Sequence, residues 1–272
     1  SYSQGAIYLS PIIGPMDQSN PLVDNGKLIN TPVASIKHED YYRTQWSNTD
    51  AIEFVLKPVK GLTIKSQNSV RLSQGHIYHF WSNQLPKRRD EEGSDAYKYE
   101  NEGLLLSSEN TVTYKTKIRR RHELEAMAGF SASKSVVRNT AVKAEGLIMD
   151  ELKWNNLNGI SSKENYTVSS GLTQIVRESV FGRFNYNWRG RYYVTATLRA
   201  DGSSNFAANS KWGFFPSVAL KWNVIKEPFM KNVLWISGLS FRASAGRTGN
   251  DSIAAYRSLP SYNSSTSAYT LD

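Results

Sequence analysis

Cysteine is absent from the 272-residue chain, which excludes disulfides and thiolate metal sites. Long apolar runs are absent too: none approaches the ~18 residues that a membrane-spanning helix needs. That excludes a helical span and leaves a transmembrane barrel open, because alternating strands give only a weak hydropathy signal. Histidine is scarce, with only His38, His76, His79 and His122. His76 and His79 lie too far apart on a strand or loop to share one metal, so no metal site or cofactor is expected. No Gly-x-Ser-x-Gly motif and no phosphate-binding loop is present. Glu91 and Glu92 are adjacent in a charged stretch, unlike the separated carboxylates of a glycosidase. No catalytic residue is therefore expected, and the chain is not read as an enzyme. The formal charge of +9 is dispersed, with clusters at Lys87-Arg88-Arg89 and Arg119-Arg120-Arg121. No helix-turn-helix, RNA-recognition or zinc-finger pattern accompanies it, so nucleic acid is not an expected partner.

What the chain does have is aromatic residues and period-2 segments. Aromatics make up 12% of it, including 15 Tyr and 7 Trp. The clearest segment pair covers 179–200. Val180, Gly182, Phe184, Tyr186 and Trp188 share one face, and Phe181, Arg183, Asn185 and Asn187 the other. After a tight turn at Arg189-Gly190, Tyr192, Val194, Ala196, Leu198 and Ala200 alternate with Arg191, Tyr193, Thr195, Thr197 and Arg199. Side chains alternate faces along a strand, so this is a hairpin with one apolar and one polar face. The design repeats at about 213–224 and 238–246, and upstream at 112–118 with 124–132 and 52–56 with 62–64. About eight strands are predicted.

The connections sort by parity. Those near 58–61, 119–122 and 189–190 are short, whereas those near 73–110, 134–175, 201–212 and after 247 read as long polar loops. The stretch 225–237 is longer but falls on the short-turn side. Up-and-down outer-membrane barrels have this asymmetry, with short periplasmic turns and long extracellular loops. Tyr186, Trp188, Tyr192 and Trp222 gather at the short-turn ends, as in an interfacial aromatic girdle. Phe184, Val194 and Leu198 join them as expected lipid-facing residues. Arg183, Asn185, Arg199, Lys221 and Arg242 are the expected lumen-facing, substrate-contacting candidates. Asp201 to Asn205 reads as a loop-entry turn in which Asp201 caps backbone N–H groups and Gly202 supplies an unusual φ. Periodicity alone leaves an all-β soluble sandwich open beside the barrel.

One stretch carries a resemblance. It runs Leu198-Arg199-Ala200-Asp201-Gly202-Ser203-Ser204, then Trp212 with Phe215-Pro216-Ser217, then Glu227-Pro228-Phe229, then Gly246 with Thr248-Gly249-Asn250. In order and spacing this resembles the SusC/RagA family of TonB-linked outer-membrane proteins. Asn205 and Ala245 depart from the family's usual basic residue and Tyr. Before residue 170 the resemblance is loose, resting on strand rhythm and the Asn20-Pro21 loop. The resemblance implies an all-β, antiparallel, up-and-down transmembrane barrel, of which 1–272 is an internal part. The parent would be 22-stranded with an N-terminal plug, and neither plug nor TonB box is recognisable here. It further implies import of oligosaccharides or peptides across the outer membrane of a Gram-negative bacterium. The implied partners are outer-membrane lipid, a SusD-like lipoprotein, and TonB–ExbB–ExbD acting through the plug. The rival readings are a secreted glycan-binding β-sandwich and a passive porin.

The facing assignment yields a test. Val194→Arg is expected to destabilise the membrane-inserted protein by roughly 2–4 kcal/mol, and Thr195→Arg by far less. Outer-membrane assembly measured for both variants checks it, and equal tolerance of the two contradicts it.

Overall fold

The computed structural model describes residues 22–24, 27–29, 32–88, 92–160, 165–207, 211–250 and 256. A two-stranded ribbon, β1 (Leu22–Asp24) and β2 (Lys27–Ile29), precedes one short helix, α1 (Pro32–His38). Eight strands follow: β3 (Glu39–Leu56), β4 (Leu62–Trp81), β5 (Ser94–Ile118), β6 (His122–Leu147), β7 (Tyr166–Trp188), β8 (Tyr192–Ser203), β9 (Trp212–Trp222) and β10 (Phe241–Gly246). They form one sheet in the order β10-β9-β8-β7-β6-β5-β4-β3, so each strand lies beside its chain neighbour. That is an antiparallel up-and-down meander with β3 and β10 at its edges, not a sandwich of stacked sheets. The eight predicted strands are the eight of this sheet, and the β1–β2 ribbon is additional.

Their lengths are not those predicted. β4 to β7 run 20, 25, 26 and 23 residues, well beyond the ~9–11 that cross a bilayer. The stretches 73–110 and 134–175, expected as loops, are therefore largely strand. The true connections are 82–93 and 148–165. The reason is physical: a strand polar on both faces keeps its ladder but loses the alternation that reveals it. In place of alternation there is close interstrand fitting. The Asn101 amide lies where a Cβ on Gly75 would sit, and Asn139 does the same at Gly171.

The short turns behave as expected. Arg189 and Gly190 both have positive φ, 53° and 67°, as a two-residue hairpin turn requires. Arg119 and Arg120 adopt the same region without glycine, at 50° and 55°.

The chain divides into two compact units. One comprises Ser1–Asn48, Leu72–Gly103 and Val137–Leu172. Its small core is Phe80, Ala96 and Leu147, packed by Trp154, Leu157 and Ile160. Leu85 is fully buried. The Asp150 carboxylate accepts hydrogen bonds from Ser82 at 2.8 Å and Ser94 at 2.5 Å, tying 148–165 to the 82–93 connection. Buried Asp95 pairs with Arg88 at 2.6 Å and with Lys143 at 3.4 Å. The described parts of these connections, 82–88, 92–93, 148–160 and 165, are held by these bonds. His76 and His79 do not converge: His79 bonds Glu39 at 2.7 Å, and His76 lies near Tyr78 and Glu100.

The other unit comprises Thr49–Arg71, Leu104–Val136 and Thr173–Asp272. Its register sets the two faces. Phe184 pairs with Ala196 and Tyr186 with Val194, and Val194 pairs onward with Leu220, which meets Ala243. Leu198 pairs with Pro216. All these side chains share one face. The opposite face carries Arg183 beside Thr197, Asn185 beside Thr195, and Lys221 beside Tyr193 and Arg242.

The strand direction gives a second test. A cysteine at Met149, which is exposed, is expected to react with a membrane-impermeant maleimide on intact cells, and one at Arg120 is not. The absence of native cysteine from this chain leaves the reporter without background here. Labelling at 120 but not 149 would invert the topology.

Candidate functional site

The five lumen candidates occupy one face but do not converge. Arg199 shares its row with Phe181 and Phe215, Arg183 with Thr197 and Ser217, and Asn185 with Thr195 and Ala219. Lys221 and Arg242 are direct cross-strand partners. The candidates thus form a ladder along β7 to β10 rather than a pocket. Lys221 is held over the Tyr193 ring at 5.2 Å, which offsets part of its repulsion from Arg242. Thr195 donates to Asn185 Oδ1 at 2.8 Å. Arg199 is clamped: its Nε donates to Asp201 at 2.6 Å, its other arm reaches Ser179 at 2.8 Å, and the guanidinium lies 5.2 Å from the Phe181 ring.

Strand pairing also brings together residues that single-strand reading left unassigned. Lys65 pairs with Glu53 at 2.7 Å, Lys115 with Glu125 at 2.8 Å, and Lys117 with Glu123. Asn187 donates to Glu123 at 2.9 Å. Lys115, Lys117, Glu123, Glu125 and Asn185 help line an open hollow of about 950 Å³ near the short turns. The alternation of Lys115 with Thr116 and Lys117, and of Glu123 with Leu124 and Glu125, is the signal that points to it.

The motif residues have structural work. Asp201-Gly202-Ser203 is not a turn: it is the end of β8, and Gly202 does not have positive φ. Gly202 is small because the Trp212 ring lies 3.0 Å from where its Cβ would be. Phe215 fills the space over two further glycines, at 2.6 Å from a Cβ on Gly213 and 2.3 Å from one on Gly249. Gly246 faces Ser217 at 2.8 Å by the same measure, and its neighbour Arg247 donates its backbone N–H to Pro216 at 3.0 Å. Ser203 and Ser204 supply the capping expected of Asp201. Ser203 Oγ accepts from the Asn205 N–H at 3.3 Å, and Ser204 Oγ from the Val176 N–H at 2.9 Å. A cavity of about 330 Å³ bordered by Arg177, Arg199, Asp201, Phe215 and Asn250 sits beside this cluster. Among the described residues, Thr248 has no contact that explains its place in the motif.

At the other end, Trp188, Tyr192, Trp222 and Phe241 form a continuous aromatic row across β7 to β10. Successive ring centroids are 5.5, 6.3 and 6.2 Å apart. Tyr186 adds a 2.8 Å bond to His122. Glu227 fastens this row. Its carboxylate accepts from Trp222 Nε1 at 3.1 Å and from Arg191 at 3.3 Å, and it bonds the Tyr192 hydroxyl. Pro228 then opens a short 3-10 turn through Met230, with Phe229 exposed.

Those partners hold the Glu227 carboxyl below its ordinary value of 4.5, the Trp222 hydrogen bond first, with Tyr192 and Arg191 adding to it against the opposing effect of burial. A depressed carboxylate contributes stability that is full above its ordinary value and is lost as pH falls through the folded one. Wild-type protein is therefore expected to lose heat-modifiable folded form below about pH 4.5 more steeply than Glu227→Gln. Parallel pH curves on gel shift would contradict that role.

The comparisons with known proteins can now be set beside this geometry. Residues 11–271 match the family model described as TonB dependent receptor-like, beta-barrel. TonB-dependent receptor P3 of Formosa agariphila is 33% identical over 242 residues, covering 89% of this chain and 23% of that protein. TonB-dependent receptor SusC of Bacteroides thetaiotaomicron is 47% identical over 75 residues, 28% of this chain and 8% of that one. Among solved structures, the RagAB peptide transporter superposes with a TM-score of 0.76 at 22% identity, over 86% of this chain and 26% of the other. The chain spans about a quarter or less of the length of these relatives. It belongs to the TonB-dependent receptor-like β-barrel family.

Proposed function

We propose that this chain forms part of the wall of a TonB-dependent importer in the outer membrane of a Gram-negative bacterium. The observation that carries the reading is the register of β7 to β10, which gathers apolar side chains on one face and polar ones on the other. The apolar face, with Phe184, Tyr186, Val194 and Leu198, meets lipid, and Trp188, Tyr192 and Trp222 form the girdle. The polar face lines a hydrated lumen and offers Arg183, Asn185, Arg199, Lys221 and Arg242 to passing substrate.

Charge supports a wide lumen. Arg183, Lys221 and Arg242 make no ion pair among the described residues. A closed eight-stranded barrel has an interior filled by side chains, where such cations would be desolvated. A larger, water-filled barrel leaves them hydrated. The open sheet is on this reading one arc of that wall, and the wall, plug and lipoprotein partner together would make the importer.

The substrate is an oligosaccharide or a peptide, the class suggested by likeness to SusC and to the RagAB peptide transporter. A SusD-like lipoprotein delivers it at the loop end, and TonB–ExbB–ExbD supplies energy through the plug. The test is uptake in a deletion strain complemented with the full-length gene. Labelled oligosaccharide or peptide is expected to enter only while the proton-motive force is intact. Uptake that persists after uncoupling would favour the passive porin instead.

A further inference from the structure

The connection between β9 and β10 does not fit a bare periplasmic turn. Residues 223–240 are many more than a hairpin needs, and they are folded rather than slack. Backbone bonds run from Glu227 to Val224, Met230 to Glu227 and Val233 to Met230, and Ile225 reaches back to Leu239. Despite that order, the segment leaves large apolar side chains in the open. Leu234 is 92% exposed, Trp235 84% and Phe229 63%. Adjacent Leu234 and Trp235, both almost fully exposed on a folded segment, point to something that covers them.

Three observations identify the cover. The first is continuity. The segment leaves β9 at Trp222 and enters β10 at Phe241, which are register partners with rings 6.2 Å apart on the apolar face. The second is its anchor. Glu227 holds the segment to Trp222 and to Tyr192, both on that same face. The third is charge. Glu227 is buried in its bonds, so the accessible charges of the segment are those of Lys226 and Lys231. Lys226 lies against the Gly190 turn, and Arg189 stacks at 5.3 Å over the Trp188 ring. The Arg119–Arg121 turn adjoins them through the Arg189 N–H bond to the Arg121 carbonyl at 2.8 Å. Exposed Trp, Leu and Phe flanked by Lys and Arg are the composition of a segment lying in a membrane interface.

We propose that residues 224–240 are an interfacial membrane anchor. Phe229, Leu234 and Trp235 enter the acyl boundary of the periplasmic leaflet, while Lys226, Lys231 and Arg189 meet lipid phosphates. This rests on the lipid-facing reading of the apolar face given above. It adds that the wall grips the inner leaflet through a folded shelf as well as through its girdle.

The test uses the full-length protein in vesicles of phosphatidylethanolamine and phosphatidylglycerol. One variant carries Trp235→Cys and a second Val194→Cys, each labelled with an environment-sensitive fluorophore, and only heat-modifiable folded material is measured. The label at 235 is expected to shift to the blue and to be quenched most by lipids carrying the quencher near the headgroup. The label at 194 is expected to be quenched most by a quencher deeper in the chain. A label at 235 that is open to aqueous iodide overturns the anchor, while lipid quenching at 194 keeps the facing reading. A label at 235 shielded from both iodide and lipid quenchers overturns it in favour of a covering protein. Loss of lipid quenching at 194 as well would bring down both readings.

Discussion

Strand register is the constraint on which everything else here depends. Side chains alternate with a period of two, so a slip of one residue would exchange the two faces completely. In β7 to β10 that exchange would put Arg183, Lys221 and Arg242 where Val194, Leu220 and Phe184 now stand. In the proposed setting the penalty is severe, because hydrocarbon can neither hydrate those cations nor satisfy a broken ladder.

The family motif can be understood as hardware for holding that register. At one end Phe215 lies over Gly213 and Gly249, where a Cβ would collide with its ring, and Trp212 lies over Gly202, where a Cβ would be tightly crowded. At the other end Glu227 binds the β9 Trp222 and the β8 Tyr192 together, with Arg191 of the preceding turn. The Trp212–Gly202 contact and the Glu227 bonds each tie β8 to β9 or its connection at one relative position. Arg199, expected to face substrate, is partly consumed in the same task by Asp201 and Ser179.

How much of this was legible in the sequence follows from the solvent on each face. Where one face is apolar and the other polar, as in 179–200, alternation reveals the hairpin, its turn and which residues share a face. Where the two faces are not cleanly sorted into apolar and polar, as in 73–81 and 94–103, alternation vanishes and long strands read as loops. Gly202 was misread for a related reason. A glycine can serve φ or serve space, and only the partner ring, which comes from β9, tells which. The ion pairs between β5 and β6 are hidden because Lys115 and Glu125 sit on different strands, and a hairpin register is needed to bring them together.

The same reasoning explains why the motif identifies the family and leaves the cargo open. Glycines that admit rings, serines that cap a strand end and a carboxylate that fastens a girdle are needed by any wall of this construction, whatever passes through it. Residues free to vary with substrate are those with no such duty. Within the described residues, these include Arg183 and Arg242 on the ladder, which carry charge into the open face without an ion-pair partner. Selectivity therefore has room to change on that face while the clamps at either end stay fixed. On the proposed reading, an importer built so could alter its cargo without disturbing the register of its wall.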